Sequence, residues 1–370
     1  MLEILKQSND PEICKPLVEA VIEVAKEFRQ NFGRKPAFME VCGSHTMSLA
    51  RTGVKQCLKD YVHLISGPGC PVCVTDQRSI DAMIALAEGE QRIICTFGDM
   101  MRVPGSSKTL LDSKIAGKDI RVLYSPVDAV KIAAENPDKE VIFLGVGFET
   151  TIPILTLLIG EAEKQGIKNF SIWMTTKLIE PVLRYLLDTG EIQLDGFLLP
   201  GHVSIVLGED SYQYLVDEYS ISGVITGFET AELLSGIYKL IDMAVIGRIA
   251  IENNHKAVVS RSGNRVIQQW LNRYLTECNE AWRGIGVIPH SGLDLKPEYD
   301  RFNAKKRFQV EVGEPKKTKC RCGEVIRGLI TPNECPLFGK ACQPMNPIGP
   351  CMVSAEGSCA AYYQYMRESF

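Results

Sequence analysis

Cysteine is the residue type whose number and spacing in this sequence point to chemistry. The 370-residue chain contains 13 cysteines. In a reducing compartment disulfide frameworks are rare, so this many thiols favours metal ligation or redox chemistry. The cysteines are also clustered rather than scattered as core filler would be. Six lie within the first 95 residues (Cys14, Cys42, Cys57, Cys70, Cys73, Cys95), Cys278 stands alone, and six lie within the last 51.

The C-terminal cysteines lie in a segment rich in Pro and Gly that has few large hydrophobic residues. Structural zinc sites usually contain two close pairs spaced Cys-x2–4-Cys, whereas Cys320 and Cys322 here are separated by a single residue. Wide spacing in such a loop favours an iron–sulfur cluster, with zinc and free thiols as alternatives. Spacing alone does not choose four ligands among the six candidates: Cys320, Cys322, Cys335, Cys342, Cys351 and Cys359.

Cys70 and Cys73 form a Cys-x-x-Cys pair after an apolar strand and a Gly-Pro-Gly turn. A helix is expected to begin at this pair. Two thiols at this spacing can close a disulfide, and a helix start favours the thiolate. The pattern therefore predicts a redox pair, with metal ligation or inert thiols as the other interpretations.

Cys42 lies in the segment Glu-Val-Cys-Gly-Ser-His-Thr, residues 40–46, at the carboxyl end of a predicted strand. Ligands bind at such strand ends in α/β folds, so we expect an exposed thiol in a cleft. The helix start and His45 are expected to lower the thiol pKa. The alternative is a capped turn that contains a buried thiol and a histidine with all its hydrogen bonds satisfied.

Further polar turns follow other predicted strands. His202 lies in Pro-Gly-His-Val-Ser, and the tetrapeptide Gly-Phe-Glu-Thr occurs at 147–150 and again at 227–230. Some of these side chains are simple helix caps, but a shared cleft lined by polar and thiol groups accounts for them together. None of the glycine-rich turns matches a Walker A or dinucleotide-binding pattern.

Short apolar runs, Gly-rich turns and amphipathic segments alternate along most of the chain. This alternation predicts an α/β fold with parallel sheets. We expect two small parallel-sheet α/β domains facing a cleft, at 34–120 and 121–244. A Cys-rich iron–sulfur domain with little regular structure is expected to combine 1–33 with 245–370.

Composition excludes some classes of function. The net charge is -4 and the isoelectric point is about 5.9, which disfavours nucleic-acid binding through a general basic field. No apolar stretch approaches the roughly 18 residues that a membrane span requires. The first residues lack the pattern of a secretory signal, so a cytoplasmic location is expected.

Several of these motifs together resemble the HypD family of hydrogenase maturation factors. The matching segments are MEVCGSHT at 39–46, SGPGCPVC at 66–73, TFGDMMRVPGS at 96–106, GFETT at 147–151, PGHVS at 200–204, and the tail from CRCGEVIRGLITPNECP to PIGPCMVSAEGSC. The resemblance covers essentially the whole chain. One departure is Ser44, where the family usually has a second glycine, and it calls into question any role that needs a bare backbone there.

The resemblance implies a scaffold on which the Fe(CN)2CO unit of [NiFe]-hydrogenase is assembled. The partners it implies are a small HypC-type chaperone, HypE as cyanide donor together with HypF, and, indirectly, the hydrogenase large subunit. It also implies two α/β domains and a third domain that carries a [4Fe-4S] cluster.

The resemblance also implies roles for individual residues. Cys42 would be a ligand of the iron, shared with a cysteine of the chaperone, and Cys70 and Cys73 would be a redox pair. His45 and His202 could donate hydrogen bonds to the cyanide nitrogens. The implied cluster ligands are Cys322, Cys335, Cys342 and Cys351, with Cys359 and Cys320 as competitors.

Two other functions remain open from the sequence. One is an iron–sulfur thiol–disulfide reductase that resembles ferredoxin–thioredoxin reductase. The other is a non-catalytic scaffold whose C-terminal site holds structural zinc.

Overall fold

Nine strands form two parallel sheets in the part of the chain that the computed structural model describes, residues 8–366. The strands are β1 (Ala37–Glu40), β2 (His63–Ser66), β3 (Arg92–Thr96), β4 (Asp119–Val122), β5 (Glu140–Gly147), β6 (Phe170–Thr176), β7 (Gly196–Pro200), β8 (Ser222–Thr226) and β9 (Ile251–Asn253). Four of these strands, β1, β6, β7 and β8, are buried along their whole length, as expected when both faces of a parallel sheet are covered.

The first sheet has the strand order β2-β1-β7-β8-β9, and the second has the order β4-β3-β5-β6. Every neighbouring pair in both sheets is parallel. The α/β class with two parallel sheets is therefore confirmed. An antiparallel hairpin of β10 (Leu275–Trp282) and β11 (Gly286–Leu295) was not expected from the sequence.

The two sheets do not follow the linear division at residue 120 that the sequence suggested. The first sheet pairs residues 37–66 with residues 196–253, and the second is formed by residues 92–176. Periodicity locates the strands, but long-range packing decides which of them pair, and a chain often leaves a sheet and returns to it. The predicted limits of independently folding domains, including 1–33 with 245–370, stay a prediction.

Helices connect the strands, and local signals explain several of their ends. The first helix begins after Asp10, whose carboxylate accepts a hydrogen bond from the Glu12 N–H, and ends at Gly33, which has a φ of 72°. No helix within residues 8–366 is long and apolar enough to cross a membrane. Up to β9 the helices are α1 (Pro11–Phe32), α2 (Gly43–Arg51), α3 (Val54–Leu58), α4 (Pro71–Val74), α5 (Gln77–Ala87), α6 (Leu110–Ile115), α7 (Asp128–Glu135), α8 (Ile152–Lys164), α9 (Ile179–Thr189), α10 (Gly201–Leu207), α11 (Gln213–Asp217) and α12 (Thr230–Val245).

The segment after β9 contains fewer and, on average, shorter helices. Its cysteine-rich part, from residue 320 onward, packs against both sheets, and five of its six cysteines belong to the largest buried apolar cluster. The remaining helices are α13 (Arg265–Tyr274), α14 (Ala304–Arg307), α15 (Cys322–Ile326) and α16 (Ser358–Tyr365), and the 3-10 helices of the described residues are Gly98–Arg102, Glu209–Tyr212, Pro297–Phe302, Pro332–Glu334 and Pro350–Met352.

A buried ion pair connects the first sheet to the last helix. The Lys55 ammonium lies 2.8 Å from a Glu40 carboxylate oxygen, and both side chains are almost fully buried. Thr46 donates a hydrogen bond of 2.5 Å to the same carboxylate, and the ammonium lies 5.3 Å from the ring centre of Tyr362 in α16. Burial disfavours the charged ammonium, but Glu40 and Tyr362 together outweigh this effect and raise the Lys55 pKa. The pair thus fixes β1, α3 and α16 to one another.

Replacing Lys55 by methionine should destabilise the protein strongly, because it leaves Glu40 buried without its counter-charge. Removing one partner of a buried pair typically costs about 3 to 5 kcal/mol. The free energy of unfolding from chemical denaturation measures the effect. Lys26→Met is the control, since Lys26 pairs with Glu23 on the surface and its loss should change little. Equal effects of the two variants would contradict the role of the buried pair.

Candidate functional site

The Cys42 turn is held in close contact with the turn that precedes Cys70. Cys42 is the N-cap residue of α2, and the Gly43 N–H donates to the Gly69 carbonyl at 3.2 Å. A Cβ on Gly69 would lie 2.5 Å from the Cys42 Cα, so no side chain fits at residue 69. Because Gly69 has no side chain, Cys42 can lie next to the turn that leads into the predicted redox pair, Cys70 and Cys73.

The expected low pKa of Cys42 is wrong for the thiol in this environment. Burial raises the Cys42 pKa to about 11, and the nearby Glu356 carboxylate adds to the increase. The backbone N–H groups of Ser44 and His45 oppose the effect only in part. His45 supplies no positive charge, because its own burial lowers its pKa to about 4. The environment therefore favours the neutral thiol at Cys42.

His45 and His202 both contact the ring of one phenylalanine, Phe228. The ring of Phe228 is 4.9 Å from that of His45 and 4.2 Å from that of His202, measured between centroids. His45 is fully buried. Within the described part of the chain neither of its ring nitrogens makes a hydrogen bond of normal geometry, although the backbone of Thr226 and Gly227 faces the ring. Burial also lowers the His202 pKa. The structure thus brings these two predicted site residues together.

Cys70 and Cys73 are joined by a disulfide. Cys70 is the N-cap residue of α4, and its sulfur accepts a hydrogen bond of 3.2 Å from the Cys73 N–H. The short helix α4 packs against β5 of the second sheet, against α15 and against the 3-10 helix Pro350–Met352. The disulfide therefore lies between the second sheet and two segments that carry C-terminal cysteines.

All six C-terminal cysteines line one small apolar cavity. Its walls include Val325, Leu337, Phe338 and Met352. The thiols of Cys320, Cys322, Cys351 and Cys359 form a chain of neighbouring hydrogen-bonded groups. The assigned set Cys322, Cys335, Cys342 and Cys351 is thus brought together, and so are its competitors Cys320 and Cys359.

Backbone hydrogen bonds shape the loop that carries the middle cysteines. The Cys342 N–H donates to the Leu337 carbonyl at 2.9 Å, and the Ile348 N–H donates to the Cys342 sulfur at 3.3 Å. Burial raises the Cys342 pKa, while the N–H groups of Ile348 and Gly349 oppose the increase. N–H groups aimed at sulfur stabilise a thiolate, as a metal ligand requires.

The chemistry of this cavity fits an iron–sulfur cluster. Its donors are all sulfur, its walls are apolar, and N–H groups approach the sulfur atoms. Soft thiolate ligands of this kind suit iron–sulfur clusters, and a dry surrounding shell helps to set their potential. Within residues 8–366 no group of three or more His, Cys, Asp or Glu side chains is placed to hold a single metal ion. The choice of four ligands stays a prediction.

The two Gly-Phe-Glu-Thr turns differ in the role of their glutamates. Glu229 is the N-cap residue of α12, forms a capping box with Glu232 and accepts a hydrogen bond from Asn9. Glu149 is buried and accepts from the Ile179 N–H at 2.8 Å, and its other oxygen has no hydrogen-bond partner among residues 8–366. Burial raises the Glu149 pKa to about 7. Helix capping therefore explains the glutamate of the second turn, Glu229, but it does not explain Glu149 of the first turn.

Two groups near Cys42 were not found from the sequence. Glu356, which lies in the quoted tail motif, accepts a hydrogen bond of 3.0 Å from the Ser44 hydroxyl. Tyr212 is buried and its hydroxyl bonds to Ser204 at 3.0 Å. Burial raises the Tyr212 pKa, and the charges of Glu149 and Cys42 both add to the increase. Tyr212 thus lies near the turn that contains Cys42 and the turn that contains Glu149. No sequence motif identified it.

A half-buried thiol, a disulfide and a cavity lined by six cysteines of the tail define an α/β protein with three thiol sites and two parallel sheets. The HypD family model, described as the hydrogenase formation hypA family, matches residues 13–366. The chain belongs to the HypD family of hydrogenase maturation factors.

Curated relatives cover nearly the whole chain. The hydrogenase maturation factor HypD of Escherichia coli strain K12 is 40% identical over 99% of this chain and 99% of its own length. The HypD protein of Rhodobacter capsulatus is 39% identical over 98% of each chain. That of Azotobacter vinelandii is 41% identical over 90% of each chain. These relatives confirm the family resemblance found from the motifs.

Replacing Glu149 by glutamine should change how stability depends on pH. A pKa raised from 4.5 to about 7 means that the folded state binds the proton more tightly than the unfolded state. This stabilisation is complete below about pH 4.5 and is lost as the pH rises through about 7. The wild type should therefore lose roughly 3 kcal/mol relative to Glu149→Gln between pH 4.5 and 8. Denaturation of both proteins at several pH values measures this, and a constant difference would contradict it.

Proposed function

We propose that this protein is a redox-active scaffold on which the Fe(CN)2CO unit of a [NiFe]-hydrogenase is assembled together with a HypC-type chaperone. The observation that carries the proposal is the position of helix α4. Its disulfide, Cys70–Cys73, directly follows the turn held against Cys42, and α4 packs against two segments of the cysteine-lined cavity. The Cys42 thiol, the disulfide and the cysteine-lined cavity lie close together, which suits a reaction that needs both an iron ligand and a source of electrons.

Cys42 is the proposed ligand of the iron that the scaffold carries as its substrate. Low-spin iron with cyanide and CO prefers soft thiolate ligands. The iron supplies a positive charge that favours the thiolate at the half-buried Cys42, and a second thiolate comes from the chaperone. His45 and His202 each have a neutral imidazole, which can donate one N–H to a cyanide nitrogen.

The proposed electron carriers are the Cys70–Cys73 pair and a [4Fe-4S] cluster held by Cys322, Cys335, Cys342 and Cys351. A dithiol gives up two electrons when it closes to a disulfide. The cluster, when bound, supplies electrons one at a time. The packing of α4 against α15 supports exchange between the two sites.

The remaining partners follow from the family and complete the proposal. Cyanide comes from HypE, which works with HypF, and the finished unit passes from the scaffold and the chaperone to the hydrogenase large subunit. We place this assembly in the cytoplasm, where a reducing environment keeps the many free thiols reduced.

A thiol–disulfide reductase is the second candidate. A disulfide packed on the cysteine cavity is also what an enzyme resembling ferredoxin–thioredoxin reductase requires. Such an enzyme reduces a protein disulfide and holds no separate iron. Infrared spectra of the anaerobically purified complex with the chaperone separate the two functions, because cyanide and CO bands arise only from the assembled iron unit.

Single replacements of the C-terminal cysteines by alanine should identify the cluster ligands. We expect loss of bound iron and sulfide, and of cluster absorbance, for Cys322, Cys335, Cys342 and Cys351. The Cys320→Ala and Cys359→Ala variants should keep the cluster and serve as controls inside the same cavity. The assignment is wrong if Cys359→Ala loses the cluster while Cys351→Ala keeps it.

Cys42→Ala should abolish the iron unit without affecting the rest of the protein. The variant should keep its fold, its cluster and the Cys70–Cys73 couple, yet its complex with the chaperone should lack the cyanide and CO infrared bands. Cys42→Ser should be almost as defective, because a neutral hydroxyl is a poor ligand for soft iron. Cys57→Ala is the matched control, since Cys57 is an exposed free thiol. Wild-type occupancy in Cys42→Ala would place the iron elsewhere.

A further inference from the structure

A cavity of about 510 Å³ lies along helix α9. Small-molecule sites typically have volumes of about 300 to 1,000 Å³, so this cavity is large enough for a ligand. Residues of α9, of the β10–β11 hairpin and of the end of α10 contribute to its walls. No cysteine within residues 8–366 lines it, so it is not one of the three thiol sites.

One face of α9 sets the length of this cavity. The residues of α9 that line it are Glu180, Pro181, Arg184, Tyr185 and Asp188. They recur at intervals of three or four residues, which places them on the same face of the helix. The helix rises about 12 Å from Glu180 to Asp188. The cavity therefore follows about two helical turns, which suits an extended chain better than a compact ion.

A buried carboxylate lines the cavity where α9 begins. Glu149 is only 3% exposed, and one of its oxygens accepts from the N–H of Ile179, the first residue of α9. Its other oxygen is buried and has no hydrogen-bond partner in the described part of the chain. A buried acceptor without a donor is energetically costly. A ligand that brings a donor to Glu149 would remove this cost.

The charges around the cavity are mainly negative. The carboxylates that line it are Glu149, Glu180, Asp188 and Glu277. The guanidinium of Arg184 is already bound by Glu180 and Glu218, and the ring of His290 lies 3.1 Å from Glu277. Asp188 accepts a hydrogen bond from the Tyr219 hydroxyl but has no cationic partner among residues 8–366. Glu149 and Asp188 are therefore the two carboxylates left for a cationic ligand.

We propose that this cavity binds an aliphatic polyamine, with one ammonium group against Glu149 and a second one near Asp188. An ammonium has three N–H donors and can supply the one that Glu149 lacks. The apolar side chains of Leu178, Leu207 and Ile288 also line the cavity and can cover the methylene groups. Lysine side chains bury their methylene groups against apolar surface in the same way. The site is independent of the proposed function, which concerns the thiols.

Isothermal titration calorimetry of the full-length protein with spermidine at pH 8 tests the proposal. Burial raises the Glu149 pKa to about 7, so most of this carboxyl is charged at pH 8. Glu149→Gln keeps the shape of the side chain but removes its charge. It should weaken spermidine binding by roughly 10- to 100-fold, as expected when a hydrogen bond to a charged group is lost. An uncharged diol of the same chain length should not bind measurably.

Two further variants test the second contact and the specificity of the first. Asp188→Asn should weaken spermidine binding roughly two- to fivefold, because an exposed ion pair contributes little. It should not affect a monoamine of the same chain length, which has only one ammonium group. Glu229→Gln is the matched control, since Glu229 occupies the same place in the second Gly-Phe-Glu-Thr turn but caps α12 and does not line the cavity. Its affinity for spermidine should equal that of the wild type.

Wild-type affinity of Glu149→Gln for spermidine overturns the proposal, and so does an equal loss in Glu229→Gln, which would indicate a general effect of charge. A wild-type protein that does not bind spermidine, or that binds the diol as tightly, also overturns it. Should Glu149→Gln fail to fold in chemical denaturation, Asp188→Asn decides, and its unchanged affinity for spermidine overturns the proposal. None of these results concerns the thiol sites, so the proposed function is tested separately.

Discussion

The arrangement of the thiol sites depends on the meeting of three backbones at Cys42. A Cβ on Gly43 would lie 2.3 Å from the Glu356 carbonyl oxygen, and a Cβ on Gly69 would lie 2.4 Å from the Val41 carbonyl oxygen. Any side chain at either position would force the tail or the Cys70 turn away from Cys42. The two glycines therefore allow the first sheet, the disulfide segment and the cysteine-rich tail to share one site.

The tail contains little regular structure, so other contacts must hold it at this site. The Ser354 hydroxyl donates to the Asp99 carboxylate at 2.9 Å, and Tyr362 packs against the ammonium of Lys55. Asp99 follows β3 of the second sheet, whereas Lys55 pairs with Glu40 of the first sheet. The tail is thus tied to both sheets by polar groups, and the cysteine cavity keeps a fixed position relative to Cys42.

Short-range patterns predicted most elements, because a buried strand and a capped helix are determined by neighbouring residues. The helix Ile152–Lys164 and the strand beginning at Ala37 are examples. Pairing of β1 with β7 depends on residues about 160 positions apart, and the linear division therefore missed it. The motifs located Cys42, Cys70 and the tail cysteines, but the high pKa of Cys42 follows from burial and from Glu356, which lies in the tail, far from Cys42 in the sequence.

Position 44 carries a serine, and the contacts around it show which neighbouring positions must lack a side chain. A family pattern with glycine at this position raised the question of whether a side chain is tolerated. The close approaches occur instead at Gly43 and Gly69, and the Ser44 hydroxyl has room to donate to Glu356 at 3.0 Å. This hydrogen bond favours the charged form of Glu356, whose pKa burial raises. Ser44 therefore adds a contact between α2 and the tail, and it keeps a carboxylate beside the thiol that is proposed to bind iron.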